Sequence, residues 1–167
     1  MDEVEFTHVS VIAIDLQESI NWYVELFGAD MIVEVPSPKF IGPAAWLKLG
    51  HLGLHLAQAD APSPTTVNHF GIGILRPELF QSIYCSAEER GLFDERLGSH
   101  IFEIPSGEVQ MYLLDPGNNL VEVDFPDVKL LDRGVIKHIP KLADTFSPQP
   151  DRAGEGVLFR WLRQDRA

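Results

Sequence analysis

Apolar residues follow two different periods in the first part of the chain. Residues 6–14 (FTHVSVIAI) alternate with a period of two, which predicts a β-strand. Residues 15–28 (DLQESINWYVELFG) instead carry an apolar stripe at helical spacing, with Asp15 and Glu18 arranged as in a capping box and Gly28 as the stop. Three short apolar runs separated by Pro and Gly predict strands at residues 31–35, 45–49 and 52–56. The order of these elements is βαβββ.

The same order returns in the second part of the chain. A strand at residues 69–75 precedes a helix that opens with Pro77 and runs to about residue 90. Further strands are predicted at residues 101–104, 109–114 and 120–125, and the last two are joined by the turn DPGNN. We therefore predict an α+β fold with an internal duplication, in which modules at residues 1–60 and 61–126 form one structural domain. Residues 127–167 are a charged extension that we expect to be partly helical.

Composition excludes several classes of protein. With 167 residues, 45% hydrophobic and 23% charged, the chain is typical of globular proteins. Its formal charge of −12 argues against a nucleic-acid partner, which would require clustered Lys and Arg. Cys85 is the only cysteine, so a disulfide framework is excluded. The acidic start and the lack of an apolar stretch of about 20 residues argue against a signal peptide or a membrane span. These features predict a cytoplasmic protein.

Four potential metal ligands occupy equivalent positions in the two modules. His8 and His69 each lie near the start of the first strand of their module, 61 residues apart. His55 and Glu122 lie on the last strands, on the face opposite the large aliphatic side chains. An unpaired carboxylate within the apolar run around Glu122 would cost several kcal/mol, roughly, unless it bound a metal, took a proton or turned to solvent. The repeated positions favour the metal.

The ligand types predict the kind of ion. His8, His69 and Glu122 form a 2-His-1-carboxylate set, which suits Fe(II) or another divalent ion with open positions for substrate and oxygen. The face that carries these residues is roomy, because alternation places Gly71 and Gly73 beside His69. A single histidine at a strand end is more often a surface or core residue, and the symmetry between the modules is what favours a site. Asp124 shares the face of Glu122, and its place at the strand end predicts a solvated carboxylate.

Three segments resemble the vicinal oxygen chelate superfamily: HVSVIAIDLQESINWYVELFGA, NHFGIGI and YLLDPGNNLVEV. The superfamily includes glyoxalase I, fosfomycin and bleomycin resistance proteins, methylmalonyl-CoA epimerase and the extradiol ring-cleaving dioxygenases. The resemblance covers residues 5–126. It implies that the paired modules form an open, cup-shaped mixed sheet around one metal ion, with His8, His69 and Glu122 at the ligand positions. It also implies a homodimer, the common assembly in this superfamily.

The resemblance further implies roles for three other residues. Extradiol dioxygenases keep three ligands and place a histidine acid/base at the position of His55. They also have a tyrosine ten residues before the glutamate and a histidine in the preceding loop, which correspond to Tyr112 and His100. This pattern implies an extradiol-type dioxygenase that uses Fe(II) and O₂ on a small aromatic, catecholic substrate. His100 lies farther from Tyr112 than the dioxygenase motif implies, and Asn118 replaces the usual glycine of the turn.

The same residues are compatible with two other functions. Glyoxalase I and the epimerase use four protein ligands, with Glu or Gln where this chain has His55. A glyoxalase-type lyase or isomerase would use His55 as the fourth ligand to Ni(II) or Zn(II), and Mn(II) is a further candidate ion. An antibiotic-binding resistance protein would hold an aromatic drug in the same cup without turnover, and it would need no metal triad.

Overall fold

The computed structural model describes residues 6–35 and 42–142. The chain divides into two compact units, Met1–Thr66 with Leu114–Asn119 and Val67–Leu113 with Leu120–Ala167. The elements of the first unit are β1 (His8–Ala13), α1 (Leu16–Phe27), β2 (Asp30–Val35), β3 (Ala44–Leu49) and β4 (Leu52–Gln58). Those that follow are β5 (His69–Gly73), α2 (Pro77–Arg90), β6 (Ile101–Glu103), β7 (Val109–Leu114) and β8 (Leu120–Phe125).

The two sheets have the same topology. Each is four-stranded, with the orders β1-β4-β3-β2 and β5-β8-β7-β6. In each module the first strand pairs in parallel with the last, and the pairs β2–β3, β3–β4 and β6–β7 are antiparallel. This arrangement confirms the α+β fold and the internal duplication predicted from the sequence. It also confirms ten predicted elements, although β1, β5 and β6 are shorter than their sequence patterns indicate.

Local sequence signals fix the ends of both helices. The Asp15 carboxylate accepts a hydrogen bond from the backbone N–H of Glu18 at 2.9 Å, which satisfies a free donor of the first turn of α1. Gly28 ends the helix at φ 65°, a left-handed conformation that is costly for residues with a side chain. Helix α2 begins at Pro77 and ends before Gly91, also at φ 65°. The predicted helix boundaries are therefore confirmed.

Each sheet buries one face and leaves the other to polar residues. Helix α1 packs on β3 and β4, where Leu47, Leu54 and Leu56 are fully buried. In the second unit Phe80 of α2 packs on Phe125 with ring centroids 5.2 Å apart. Full burial of such side chains contributes about 1.5–3 kcal/mol each. Because side chains alternate along a strand, the opposite faces carry the candidate functional residues.

The turn Leu114–Asn119 belongs to the first unit and is anchored there by buried polar contacts. The Tyr23 hydroxyl donates to Asp115 Oδ2 at 2.7 Å, and Asn119 Nδ2 donates to the Ile12 carbonyl at 2.7 Å. A Cβ on Gly117 would collide with the same Ile12 carbonyl oxygen, so glycine is required there. Asn118 adopts φ 63°, a conformation that Asn tolerates better than most residues. Asn118 can therefore occupy this turn position, where glycine is usual, without strain in the backbone.

The described part of the C-terminal extension contains one short 3₁₀ helix, Val128–Leu130. The extension then reaches strand β6, where the backbone N–H of Glu103 donates to the Pro140 carbonyl at 2.8 Å. A bridge between Glu103 and Lys141 covers the otherwise open edge of this sheet. The remainder of the extension, where we predicted further helix, lies outside the described residues. None of the helices in the described ranges combines the length and the hydrophobicity that a bilayer crossing requires.

Candidate functional site

The second unit brings together two of the predicted metal ligands. His69 Nε2 lies 3.2 Å from Glu122 Oε2, with the imidazole partly exposed and the carboxylate buried. Strands β5 and β8 are parallel neighbours, and their register sets Gly71 opposite Glu122. Gly71 has no side chain to fill the space on this face. His69 can therefore reach the carboxylate from the start of β5.

The hydrogen bonds of His69 determine which ring nitrogen is free. Its Nδ1 lies 2.8 Å from the Val67 carbonyl oxygen, which can only accept, so Nδ1 must carry the hydrogen. In the neutral ring Nε2 then presents a lone pair to the Glu122 carboxylate. Two such acceptors at 3.2 Å are brought together either by one proton, carried by Nε2 or by the carboxyl group, or by a metal ion.

The spacing of this pair fits a divalent metal. Nitrogen and oxygen ligands lie about 2.1 Å from such an ion, so two of them at right angles are about 3 Å apart. The observed 3.2 Å between His69 Nε2 and Glu122 Oε2 is close to that value. Imidazole and carboxylate together are also a donor set that Fe, Mn, Ni and Zn accept. These two residues therefore fit the predicted metal.

Glu122 is held in place by neighbours on strand β7. Gln110 Nε2 donates to Glu122 Oε1 at 2.9 Å, which leaves Oε2 for His69. The Tyr112 ring is edge-on to the His69 ring, with centroids 5.9 Å apart. Burial, followed by a hydrogen bond to Glu122 and its negative charge, raises the pKa of the Tyr112 hydroxyl well above the usual value. Tyr112 is therefore a hydrogen-bond donor at neutral pH, close to the predicted ligands.

Asp124 is buried, and the prediction that its carboxylate is solvated is wrong. Strand β8 lies between β5 and β7 and is buried along its whole length, so its end gives no access to water. A Cβ on Gly71 would come within 2.9 Å of Asp124 Oδ2, so the glycine makes room for this carboxyl group. Asp124 Oδ1 has no hydrogen-bond partner among the described residues. Burial first, and the neighbouring charge of Glu122 second, raise the pKa of Asp124.

We expect Asp124→Asn to stabilise the metal-free protein at alkaline pH. The folded state keeps a proton on Asp124 well above pH 3.8, the ordinary pKa at which the unfolded chain loses it. Between the pKa of the unfolded chain and that of the folded protein, the folded state binds one more proton than the unfolded state. The free energy of unfolding therefore falls as the pH rises, until the pH passes the pKa of Asp124 in the folded protein. Asparagine is a neutral isostere and removes this dependence. Urea denaturation should give a free energy of unfolding higher than wild type by on the order of 1–3 kcal/mol at pH 8.

The difference in free energy of unfolding between Asp124→Asn and the wild type should shrink as the pH approaches 4. Asp60 is exposed, and Asp60→Asn is the matched control that should leave the pH dependence as in the wild type. Parallel pH curves for wild type and Asp124→Asn would mean that Asp124 is ionised in the folded protein.

The first unit groups the other two predicted residues around an indole ring. His55 stacks on Trp46 with centroids 4.5 Å apart and an interplanar angle of 23°. His8 meets the same indole edge-on at 5.1 Å. Ser10 Oγ lies 3.0 Å from His55 Nδ1, and Thr7 Oγ1 lies 3.0 Å from His8 Nδ1. Burial, and then the charge of His8, lowers the pKa of His55, which favours its neutral form.

Trp46 was not among the residues predicted from the sequence. It lies on the third strand of its module, and Tyr112 lies on the third strand of the other. In each unit this aromatic ring contacts the histidine of the first strand. The same ring also lies beside the fourth-strand residue, His55 in one unit and Glu122 in the other. Aligning the two modules strand by strand would have revealed the pair.

His100 has a different environment from Tyr112. Its ring stacks on Phe93 with centroids 4.0 Å apart, and its Nδ1 lies 3.2 Å from Glu95 Oε1. The Tyr84 ring of α2 lies 6.1 Å away on a centroid-to-centroid basis. The link to Tyr112 is through the backbone, where the His100 carbonyl accepts from the Tyr112 N–H at 2.8 Å. A catalytic role for the His100 imidazole stays a prediction that these contacts do not support.

The predicted residues are therefore grouped within units: His8 and His55 in the first, and His69, Tyr112 and Glu122 in the second. Over residues 6–35 and 42–142, no three His, Cys, Asp or Glu side chains come together as a complete metal site. The full ligand set of His8, His69 and Glu122 stays a prediction.

Comparison with known proteins assigns the family. Residues 5–123 match the model of the Glyoxalase/Bleomycin resistance protein/Dioxygenase superfamily. The protein belongs to this superfamily. The resemblance to vicinal oxygen chelate proteins found in the sequence is thereby confirmed. No curated protein shows significant sequence similarity to the chain.

Solved structures of this superfamily share the fold. A lactoylglutathione lyase from Agrobacterium tumefaciens is 23% identical, with a TM-score of 0.57 over 75% of this chain and 96% of that chain. The fosfomycin resistance protein FosX from Listeria monocytogenes, complexed with Mn(II) and sulfate, is 17% identical, with a TM-score of 0.56 over 75% and 94% of the two chains. A glyoxylase/bleomycin resistance protein/dioxygenase domain from Frankia is 17% identical, with a TM-score of 0.59 over 81% and 98%. At these identities the likeness extends to the fold alone.

Proposed function

We propose that this superfamily member is a divalent-metal-dependent dioxygenase of the extradiol type, acting on a small catecholic compound and O₂. The observation that carries the proposal is the grouping of His69, Glu122 and Tyr112. His69 and Glu122 fit two ligands of one ion, and Tyr112 donates a hydrogen bond beside them. This is the relation that the dioxygenase resemblance implies between a tyrosine and a glutamate ten residues later in the chain.

The proposed metal set is His8, His69 and Glu122. A divalent ion held by these residues, Fe(II) first and Mn(II), Ni(II) or Zn(II) next, would bind two adjacent substrate oxygens and leave a position for O₂. His69 and Glu122 are fixed for this role by Val67 and Gln110. The role of His8 rests on its equivalent position on β1.

His55 is the proposed acid/base and Tyr112 the proposed hydrogen-bond donor. The lowered pKa of His55 leaves its imidazole neutral near pH 7, which is the form that accepts a proton from a phenolic hydroxyl group. The raised pKa of Tyr112 keeps its hydroxyl protonated. Its hydrogen bond goes to Glu122 in the metal-free protein, and it would turn to a substrate oxygen that becomes more negative once the Glu122 carboxylate holds a metal. A proton taken by His55 would be returned to the ring-opened product.

A second candidate is a glyoxalase-type lyase or isomerase. Its support is the position of His55, which lies on the fourth strand of its module as Glu122 does, so that both could act as ligands. In this reading four protein ligands surround Ni(II) or Zn(II). The resistance-protein reading is weaker, because drug binding alone would not require a histidine and a buried carboxylate 3.2 Å apart.

Oxygen consumption tests the proposal. The protein is loaded with Fe(II) without air, and a panel of catechols is then added in aerated buffer. We expect O₂ uptake together with a coloured ring-opened product for at least one catechol, and neither with Glu122→Gln. The Ni(II)- or Zn(II)-loaded protein is assayed in parallel with a hemithioacetal of glutathione. Turnover in the second assay alone would support the lyase.

Assembly and location are part of the proposal. A homodimer is the arrangement implied by the family resemblance, and light scattering measures it directly. A cytoplasmic location agrees with the single cysteine, Cys85, since a reducing compartment needs no disulfides.

A further inference from the structure

We propose that Ser10 and Trp46 are positioning residues that hold the His55 imidazole in one orientation, with its hydrogen on Nδ1 and its Nε2 free. This inference rests on the proposed role of His55. It concerns side chains of the first unit alone and can be tested on the metal-free protein.

The strand register places the three side chains in a row across the sheet. On one side of His55, parallel pairing sets Ser10 of β1 directly opposite. On the other side, antiparallel pairing sets Trp46 of β3 opposite. All three residues point to the same face because paired residues in a sheet share a face. The imidazole therefore has a hydrogen-bonding neighbour at one flank and a flat ring at the other.

The two neighbours restrain different motions of the ring. The Trp46 indole stacks on the imidazole at 4.5 Å with an interplanar angle of 23°, which fixes the plane of the ring. The Ser10 hydroxyl, 3.0 Å from Nδ1, fixes which edge of the ring points toward β1. If the imidazole turned by 180°, Cδ2 would take the place of Nδ1 next to Ser10 and the hydrogen bond would be lost. Nε2 is consequently directed away from Ser10.

Gly53 leaves room beside the His8 side chain. It lies on β4 two residues before His55, on the same face of the sheet. A Cβ on Gly53 would lie 3.6 Å from Trp46 Cζ3 and 3.2 Å from His8 Cβ. The indole of Trp46 extends across β4 and meets the His8 ring with centroids 5.1 Å apart. Trp46 therefore packs against both His8 and His55.

The chemistry of His55 decides which partner donates in the Ser10 contact. A base or a metal ligand needs a lone pair on Nε2, so the ring hydrogen must be on Nδ1. Ser10 Oγ then accepts from Nδ1–H, and because Ser10 is exposed its own hydrogen can go to water. Free neutral histidine in water favours the opposite tautomer, with the hydrogen on Nε2. A serine hydroxyl can donate or accept, so Ser10 can stabilise the form with the hydrogen on Nδ1, which is the form that both proposed roles of His55 require.

Nitrogen-15 NMR of the histidine side chains tests the tautomer directly. On the full-length, metal-free protein at a pH where His55 is neutral, we expect His55 to carry its hydrogen on Nδ1. In Ser10→Ala the population should shift to the Nε2–H form, and Ser10→Thr should restore the wild-type pattern. Thr7→Ala is the matched control, because its hydroxyl is next to His8 Nδ1 and should alter the His8 signals without changing the His55 tautomer. A wild-type His55 with its hydrogen on Nε2, or a Ser10→Ala variant that keeps it on Nδ1, would overturn the inference.

The stacking role of Trp46 is tested by the chemical shifts of the His55 ring protons. Trp46→Phe keeps an aromatic face, and we expect the His55 ring protons to keep most of the upfield shift that a stacked indole produces. Trp46→Ala should lose that shift, and equal His55 proton shifts in all three proteins would contradict the stacking role. In an active enzyme Ser10→Ala should lower kcat about tenfold with unchanged metal content, since one positioning hydrogen bond is lost. If no substrate is turned over, the proposed function fails while the NMR result still decides the inference.

Discussion

Replacing Glu122 with glutamine is expected to lower the affinity for a divalent metal by more than about 100-fold, because even residues that merely support a ligand contribute 10- to 100-fold. The amide has the shape of the carboxylate and can still accept a hydrogen bond from Gln110, but it lacks the charge that offsets desolvation of the ion. His69 alone does not provide that charge. The metal-free variant should nevertheless be at least as stable as the wild type.

The expected stability of metal-free Glu122→Gln follows from the surroundings of Glu122. The carboxylate is buried next to the Asp124 carboxyl group, and burial of two such groups side by side costs free energy in the absence of a metal ion. Removing one charge relieves this cost while keeping the packing of β8. Such an inverse relation between stability and metal binding is typical of residues kept for function.

Metal content after loading and titration calorimetry measure the affinity, and urea denaturation of the metal-free protein measures the stability. Glu103→Gln is the matched control, since Glu103 is a partly buried glutamate of the same sheet that pairs with Lys141 at 3.5 Å. The control should bind metal as the wild type does. If Glu122→Gln binds one equivalent with wild-type affinity, Glu122 is not a ligand.

The sequence predicted the parts of the fold that depend on periodicity. The capping contact of Asp15 and the stop at Gly28 act within one turn of helix, so their signal is local and complete. The duplication was visible because both modules repeat the same order of strands and helix. Alternation also placed His55 and Glu122 on the polar face of their strands.

Periodicity could not predict which neighbouring residues cover each face of a strand. Asp124 was assigned to solvent because it lies near a strand end, but its exposure depends on the neighbouring strands of β8 and on the space above Gly71. Trp46 was missed for a related reason. Its contacts with His8 and His55 depend on how β1, β3 and β4 pair with one another, and the pattern of a single strand contains no such information.

Replacing His55 with glutamine separates the two leading functions. If His55 is the acid/base, kcat for the catechol substrate should fall by about 10²- to 10⁴-fold, the usual contribution of a positioned proton-transfer group. Metal affinity should then be unchanged, because the ligands His8, His69 and Glu122 remain. Glutamine can still stack beside Trp46 and accept a hydrogen bond from Ser10, so packing should be largely kept.

If His55 is instead the fourth ligand, the same substitution should weaken metal binding together with activity. Measuring both quantities on one variant therefore assigns the residue, whereas an activity assay alone would not. His51→Gln is the control, since His51 is an exposed histidine in the turn before β4 and should leave metal affinity and kcat unchanged. A His55→Gln enzyme with wild-type kcat and wild-type metal affinity would exclude both roles. Catalytic proton transfer would then have to come from the substrate itself or from another protein group, and Tyr112 and Asp124 are titratable groups that interact directly with Glu122.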